Sequence, residues 1–190
     1  MSDWQEVEIK VFVHPAQEPK FHLECDDLPK KPGDPNHFIF DNDGHPGFLL
    51  SYVLQGDAAG YRFPDRDHMD EALYSAKGAG CPTAKGQWGQ FKAKDVTSDN
   101  KTLIVRNMNQ PGHEGEFGYT LRVTKTPHDA DNATYLDLDP GGTNNNGSTT
   151  IQISYLNVAL VGATTGIVSA IATTLILAKL NMVCPAAPGF

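Results

Sequence analysis

The side chains with most chemical reach are seven histidines, three cysteines and a scatter of loop carboxylates. The histidines are His14, His22, His37, His45, His68, His113 and His128. A blue-copper centre needs two imidazoles, a thiolate and usually a distant thioether. In such a site the thiolate, second His and Met cluster late in the chain. Here Cys81 is mid-chain and no His or Met follows it at short spacing, which argues against copper. Cys25, Cys81 and Cys184 form no C-x-x-C pair, so a structural zinc site is not expected. Cys25 and Cys81 could close a disulfide in an oxidising compartment, but reduced, core-packed thiols are the expectation for a domain in the cytoplasm. Cys184 follows an apolar segment, where thiols are sometimes acylated; it is read as a bystander.

Oxygen ligands are the next resource. Asp41-Asn42-Asp43-Gly44, and the pairs Asp129/Asp131 and Asp137/Asp139, put carboxylates on loops of the kind that hold calcium. The first run lacks a closing Glu, and Asx residues are ordinary in turns, so solvated turns are expected and no metal is assigned. No G-x-S-x-G, H-E-x-x-H, Walker or dinucleotide fingerprint occurs, and Gly112-His113-Glu114-Gly115 reads as a hairpin turn. A nucleophilic set of Cys81 with a His and an Asp distant in sequence is left open. The reading is of a non-enzyme without cofactor. Sequons at Asn100, Asn132 and Asn146 matter only where the domain meets a glycosylation machinery.

Charge is unevenly placed. All 23 acidic residues and 14 of the 15 Lys and Arg precede residue 151, so residues 1–150 carry 14 − 23 = −9. Such a domain repels phosphate, which argues against nucleic acid and anionic lipid surfaces and leaves basic proteins or cations as partners.

The elements that would position these groups have a period of two. Val7, Ile9, Val11 and Val13 alternate with polar residues, and strands are predicted over 7–13, 21–25, 37–40, 48–54, 90–96, 102–107, 117–123 and 135–138. Eight short strands with Gly- and Pro-rich turns predict a mainly β fold, an antiparallel β-sandwich of Ig-like or Greek-key type, over residues 1–139. Residues 55–89 form a long excursion with a short helix predicted over 69–76. Its rings, Tyr61, Phe63, Tyr74 and Trp88, are candidates for a partner or ligand surface, although covering the open end of the sandwich is their expected use.

Residues 140–151, beginning Pro140-Gly141-Gly142-Thr143-Asn144, read as a polar linker. No charged residue occurs from 140 to 178, and the twenty-two residues 156–177 are apolar or small apart from Asn157, Ser169 and four Thr. As a helix they would span about 33 Å, enough to cross a hydrocarbon core of about 30 Å. Residues 152–181 are therefore predicted as one C-terminal transmembrane α-helix, with Tyr155 and Lys179 at its ends and 182–190 as a short tail. Gly162, Gly166, Ser169, Ala170 and Thr173 recur at spacings of three and four, a small-residue face on which another membrane helix could pack. Orientation is contested. Lys179 favours a cytoplasmic tail, whereas the N-terminal sequence, lacking a secretory leader, favours a cytoplasmic domain, and the latter is the expectation.

Together these features predict a non-catalytic, single-span accessory subunit of a membrane complex, of the respiratory or light-harvesting kind. Its partners would be other transmembrane subunits and the lipid bilayer. The alternative is a membrane-tethered ligand- or metal-binding module, or an enzyme, using the 55–89 loop.

Overall fold

The computed structural model describes residues 4–16, 20–41, 44–56, 60–125 and 134–145. All of them belong to one compact unit, Met1–Gly147. Among the described residues ten strands form two five-stranded sheets. They are β1 (Gln5–Val13), β2 (Phe21–Glu24), β3 (His37–Asp41), β4 (Phe48–Gln55), β5 (Leu73–Lys77), β6 (Phe91–Val96), β7 (Thr102–Asn107), β8 (Gly115–Thr124), β9 (Tyr135–Leu138) and β10 (Gly141–Asn145). The first sheet has the order β2-β1-β4-β7-β6. The second runs β3-β10-β8-β5, with β9 also paired to β8.

Alternation decides which face each strand buries. Val7, Ile9, Val11 and Val13 on β1 meet Leu50 and Tyr52 on β4 and Leu103 and Val105 on β7, all buried. From the second sheet Phe117, Tyr119, Leu121 and Val123 enter the same core. Aromatic rings fill the interface: Phe91 lies 4.9 Å from Phe117 and 4.7 Å from Tyr119, ring to ring.

All eight predicted strands are present, but the sheets are not purely antiparallel. β1 pairs β4 in parallel, and β3 pairs β10 in parallel. The expected wholly antiparallel, Ig-like pairing is therefore corrected to two mixed sheets. The cause is connectivity: after the β1–β2 hairpin the chain crosses to the second sheet as β3, then returns as β4 beside β1.

Two further strands replace other expectations. Residues 69–76 were expected to be helical; one turn of helix, α1 (Met69–Ala72), follows a 3₁₀ turn (Arg66–His68), and the chain then becomes β5. The predicted linker is corrected over Gly141–Asn145, which is β10, laid between β3 and β8. Its two glycines have a steric reason. A Cβ on Gly142 would strike the Phe117 ring, and one on Gly141 would strike the His37 ring. Asn144, buried on the same strand, exchanges amide hydrogen bonds with Asn107 of the other sheet at 2.7 and 3.2 Å, joining the two layers.

Among the described residues no helix is long and apolar enough to cross a membrane. The predicted transmembrane helix, and with it Gly162, Gly166, Ser169, Ala170 and Thr173, lies outside the described residues.

Candidate functional site

The outer face of the second sheet carries most of the perturbed groups. Gly118 of β8 has no side chain to lift a neighbour away, and the Gly80 carbonyl oxygen rests where its Cβ would stand. The loop after β5 therefore lies flat on β8. Thr120 Oγ1 lies against it, 2.9 Å from the Pro82 carbonyl oxygen. The Ser75 N–H donates to the Gly86 carbonyl, and the Trp88 N–H to the Ser75 carbonyl, each at 3.0 Å. Against this loop lies a shallow depression of about 570 Å³, lined by Ser75, Cys81, Pro82, Lys85 and Trp88 among others. Ser75 is no nucleophile: it is buried and its hydroxyl donates to the Phe91 carbonyl at 2.7 Å. Cys81 is disulfide-bonded.

Beside the depression, Arg122 lies between two phenol rings, with its guanidinium 4.7 Å from the Tyr74 ring and 4.0 Å from the Tyr135 ring. β-strand register puts it there. Arg122 is opposite Asp137 on β9, and Tyr74 of β5 is opposite Thr120, so these outward positions converge. Arg122 Nε donates to Asp137 at 2.8 Å and Nη1 donates to Glu71 at 2.9 Å. Lys85 closes the group, 2.6 Å from Glu71 and 2.8 Å from Asp70. Hydrogen bonds from Lys85 and the Tyr74 hydroxyl hold the Glu71 carboxyl below its ordinary value. Burial, with Glu71 as acceptor, pushes the Tyr74 hydroxyl up to about 12. The cluster is thus two basic and three acidic side chains that bond one another. It is a clamp on α1, β5, β8, β9 and the loop.

The sequence-derived candidates sit as follows. Tyr61, Phe63 and Tyr74 are only 8, 0 and 7% exposed, so they form no open aromatic surface. Trp88 is half-buried with its ring 5.6 Å from that of Phe117, and it alone of the four lines the depression. Asp137 is taken by Arg122. Asp139 accepts a hydrogen bond from Thr120 at 2.6 Å, and burial raises its carboxyl. Those two carboxylates therefore serve separate partners. Asp129 and Asp131 lie outside the described residues. No group of three or more His, Cys, Asp or Glu is placed to hold a metal ion among the described residues. Cys25 is a free thiol, raised by burial, and is not the partner of Cys81. The Arg122 cluster was missed from sequence. Its one trace is an arginine in the otherwise uncharged run Phe117-Gly118-Tyr119-Thr120-Leu121-Arg122-Val123, and a strand pattern does not say which carboxylates face it.

No protein-family model matches the chain, and no curated protein matches it.

Proposed function

We propose that this chain is a non-catalytic accessory subunit of a membrane assembly, in which residues 156–177 span the bilayer as a helix and the β domain covers part of a partner. The observation that carries this reading is the run of residues 140–178 without a charge, set against a domain that holds all the acidic residues. The domain's own polar chemistry supports it. Arg122, Glu71, Tyr74 and Lys85 are bonded to one another, and the 570 Å³ depression is bordered by a buried serine and an oxidised cysteine rather than a reactive pair.

The test is fractionation followed by extraction in mild detergent. The expected result is full-length chain in the membrane fraction, resistant to high salt and released together with stoichiometric transmembrane proteins. A soluble, monodisperse chain without any amphiphile overturns the proposal. So does a particular disulfide. A single span over 156–177 places Cys184 across the bilayer from Cys81, and Cys25 is free, so the span requires the Cys81 disulfide to join a second chain; a non-reduced peptide map joining Cys81 to Cys184 rules the span out.

The disulfide at Cys81 also favours a second reading. Such bonds persist in oxidising compartments, which suits a domain facing away from the cytoplasm. Should Cys81 prove bonded to Cys184, the chain is better read as a binding module of that compartment, with the Trp88 depression as its ligand surface. Co-purification of a small molecule instead of membrane subunits would support it.

A further inference from the structure

The two outer faces differ. The second sheet is covered by its own loop, whereas the outer face of the first sheet carries no covering element among the described residues. Alternation fixes its membership, because the opposite positions are the buried core residues. Outward lie Glu6, Glu8, Lys10 and Phe12 on β1, Leu49, Ser51 and Val53 on β4, and Ile104 and Arg106 on β7. Glu24 of β2 pairs with Lys10, and Lys92 of β6 pairs with Arg106, which extends the face to both edges. Trp4 leans on Arg106, 5.9 Å from its guanidinium, and Arg66 pairs with Asp95 at one edge.

The charges on this face are sorted across β4. On one side stand Glu6, Glu8 and Glu24, with Lys10 among them. On the other stand Lys92, Lys94 and Arg106. Between them Leu49, Val53 and Ile104 make an apolar stripe. Glu6, Glu8, Lys92 and Lys94 are exposed and form no ion pair among the described residues.

We infer that this face binds a second copy of the same chain, face to face, about a two-fold axis running along β4. Such an axis carries β7 of one copy over β1 of the other and keeps each level of the sheet in register. Glu6, Leu49 and Arg106 share one level, so Arg106 of the second copy stands over Glu6, and the reverse holds by symmetry. Lys94, displaced by the bulge between Ala93 and Asp95, reaches the acidic edge. There a depression of about 200 Å³ is lined by Glu8, Glu24, Asp26 and Asp27 beside Lys10 and Cys25. The apolar stripe of each copy meets that of the other. An axis perpendicular to the strands would instead set β7 on β7 and oppose like charges, so charge alone selects the first arrangement. Five strands at about 4.8 Å and a β4 of eight residues, allowing for shorter edge strands, give on the order of 500 Å² of face per copy. A pair would bury on the order of 1,000 Å², the small end of specific interfaces, which points to a reversible dimer. This inference stands on the β domain alone and does not rest on the membrane reading.

The test is sedimentation velocity of the full chain, in mild detergent where it requires one, over a range of concentration and salt. A monomer–dimer equilibrium that weakens with added salt is expected. Glu6→Lys and Lys94→Glu should each weaken dimerisation tenfold or more. The exchanges Glu6→Arg with Arg106→Glu, and Glu8→Lys with Lys94→Glu, should restore it. Circular dichroism confirms that each variant is folded, and because Glu8 and Lys94 are both exposed, the second exchange keeps the test decisive where Arg106→Glu fails to fold. A monomer at every concentration overturns the inference. So does dimerisation indifferent to these charges, as association through a membrane helix would be, or exchanges that fail to restore the pair.

Discussion

Tyr52 and Tyr119 offer the sharpest test of how the two sheets are joined. Both side chains are fully buried, one from each sheet, and the Tyr52 hydroxyl donates to the Tyr119 hydroxyl at 2.9 Å. Burial drives both phenols well above their ordinary range, so the pair is neutral at neutral pH. Tyr119→Phe keeps the ring and removes the acceptor, leaving the Tyr52 hydroxyl buried and unbonded. An unsatisfied buried hydroxyl costs about 1–3 kcal/mol, whereas deleting both members of such a pair without a change of shape is close to neutral. Tyr52→Phe should therefore lose a similar amount, and the Tyr52→Phe/Tyr119→Phe double variant should return to within about 1 kcal/mol of the parent. With a urea dependence of about 2 kcal/mol per M for a domain of this size, a 2 kcal/mol loss moves the unfolding midpoint by about 1 M. Equilibrium urea unfolding of the four proteins, followed by circular dichroism, reads the cycle directly. Single variants that unfold like the parent, or losses that add in the double variant, would refute the claim that this hydrogen bond is a buried, coupled contact.

Two further outcomes follow from other clusters. His37 is buried, its Nε2 lies 2.7 Å from Thr143 Oγ1, and burial followed by nearby Lys31 lowers its value below the ordinary 6.5. On acidification the unfolded chain takes up this proton first, so its contribution to stability is complete above about pH 6.5 and falls as pH drops toward the folded value. His37→Gln should flatten unfolding midpoints between about pH 7 and 5, and an unchanged slope counts against the assignment. Arg122→Met removes the charge shared by Glu71 and Asp137 and the stacking on Tyr74 and Tyr135. Because Arg122 is largely buried, a loss of about 1–3 kcal/mol is expected in urea unfolding, and a parent-like midpoint would show the cluster to be ornamental.

What could be read from the sequence was whatever a side-chain period reports. Val7, Ile9, Val11 and Val13 marked β1, and the same alternation located seven other strands, because burying one face of a pleated strand leaves that trace. Two kinds of information left none. Pairing partners are set by where the chain returns in space, so the parallel β1–β4 and β3–β10 contacts could not be seen in either strand alone. Local composition also misled where tertiary contact overruled it. Met69, Glu71, Ala72 and Leu73 are good helix formers, yet pairing with β8 turns the chain into β5 after one turn. Gly141 and Gly142 look like linker residues, but they are small because Phe117 and His37 occupy the space beside them.

The same reasoning bears on function. Tyr61, Phe63 and Tyr74 drew attention as rings in a long excursion, and the fold uses them inside. The groups that stand apart on the uncovered face are plain charges on β1 and β6, which no motif would single out. Their meaning comes from geometry: acid on one side of β4, base on the other, with an apolar stripe between. Within one chain that sorting gives the acids of β1 no partner among the bases of β7 and β6, which lie two and three strand spacings away, about 10 and 14 Å. Across a two-fold axis each acid meets a base. A surface of that kind gains favourable pairs only from its own copy or from a partner with the same division of charge, and the charge exchange Glu6→Arg with Arg106→Glu separates these two cases. It restores binding to a second exchanged copy, while it cannot restore binding to an unaltered foreign protein.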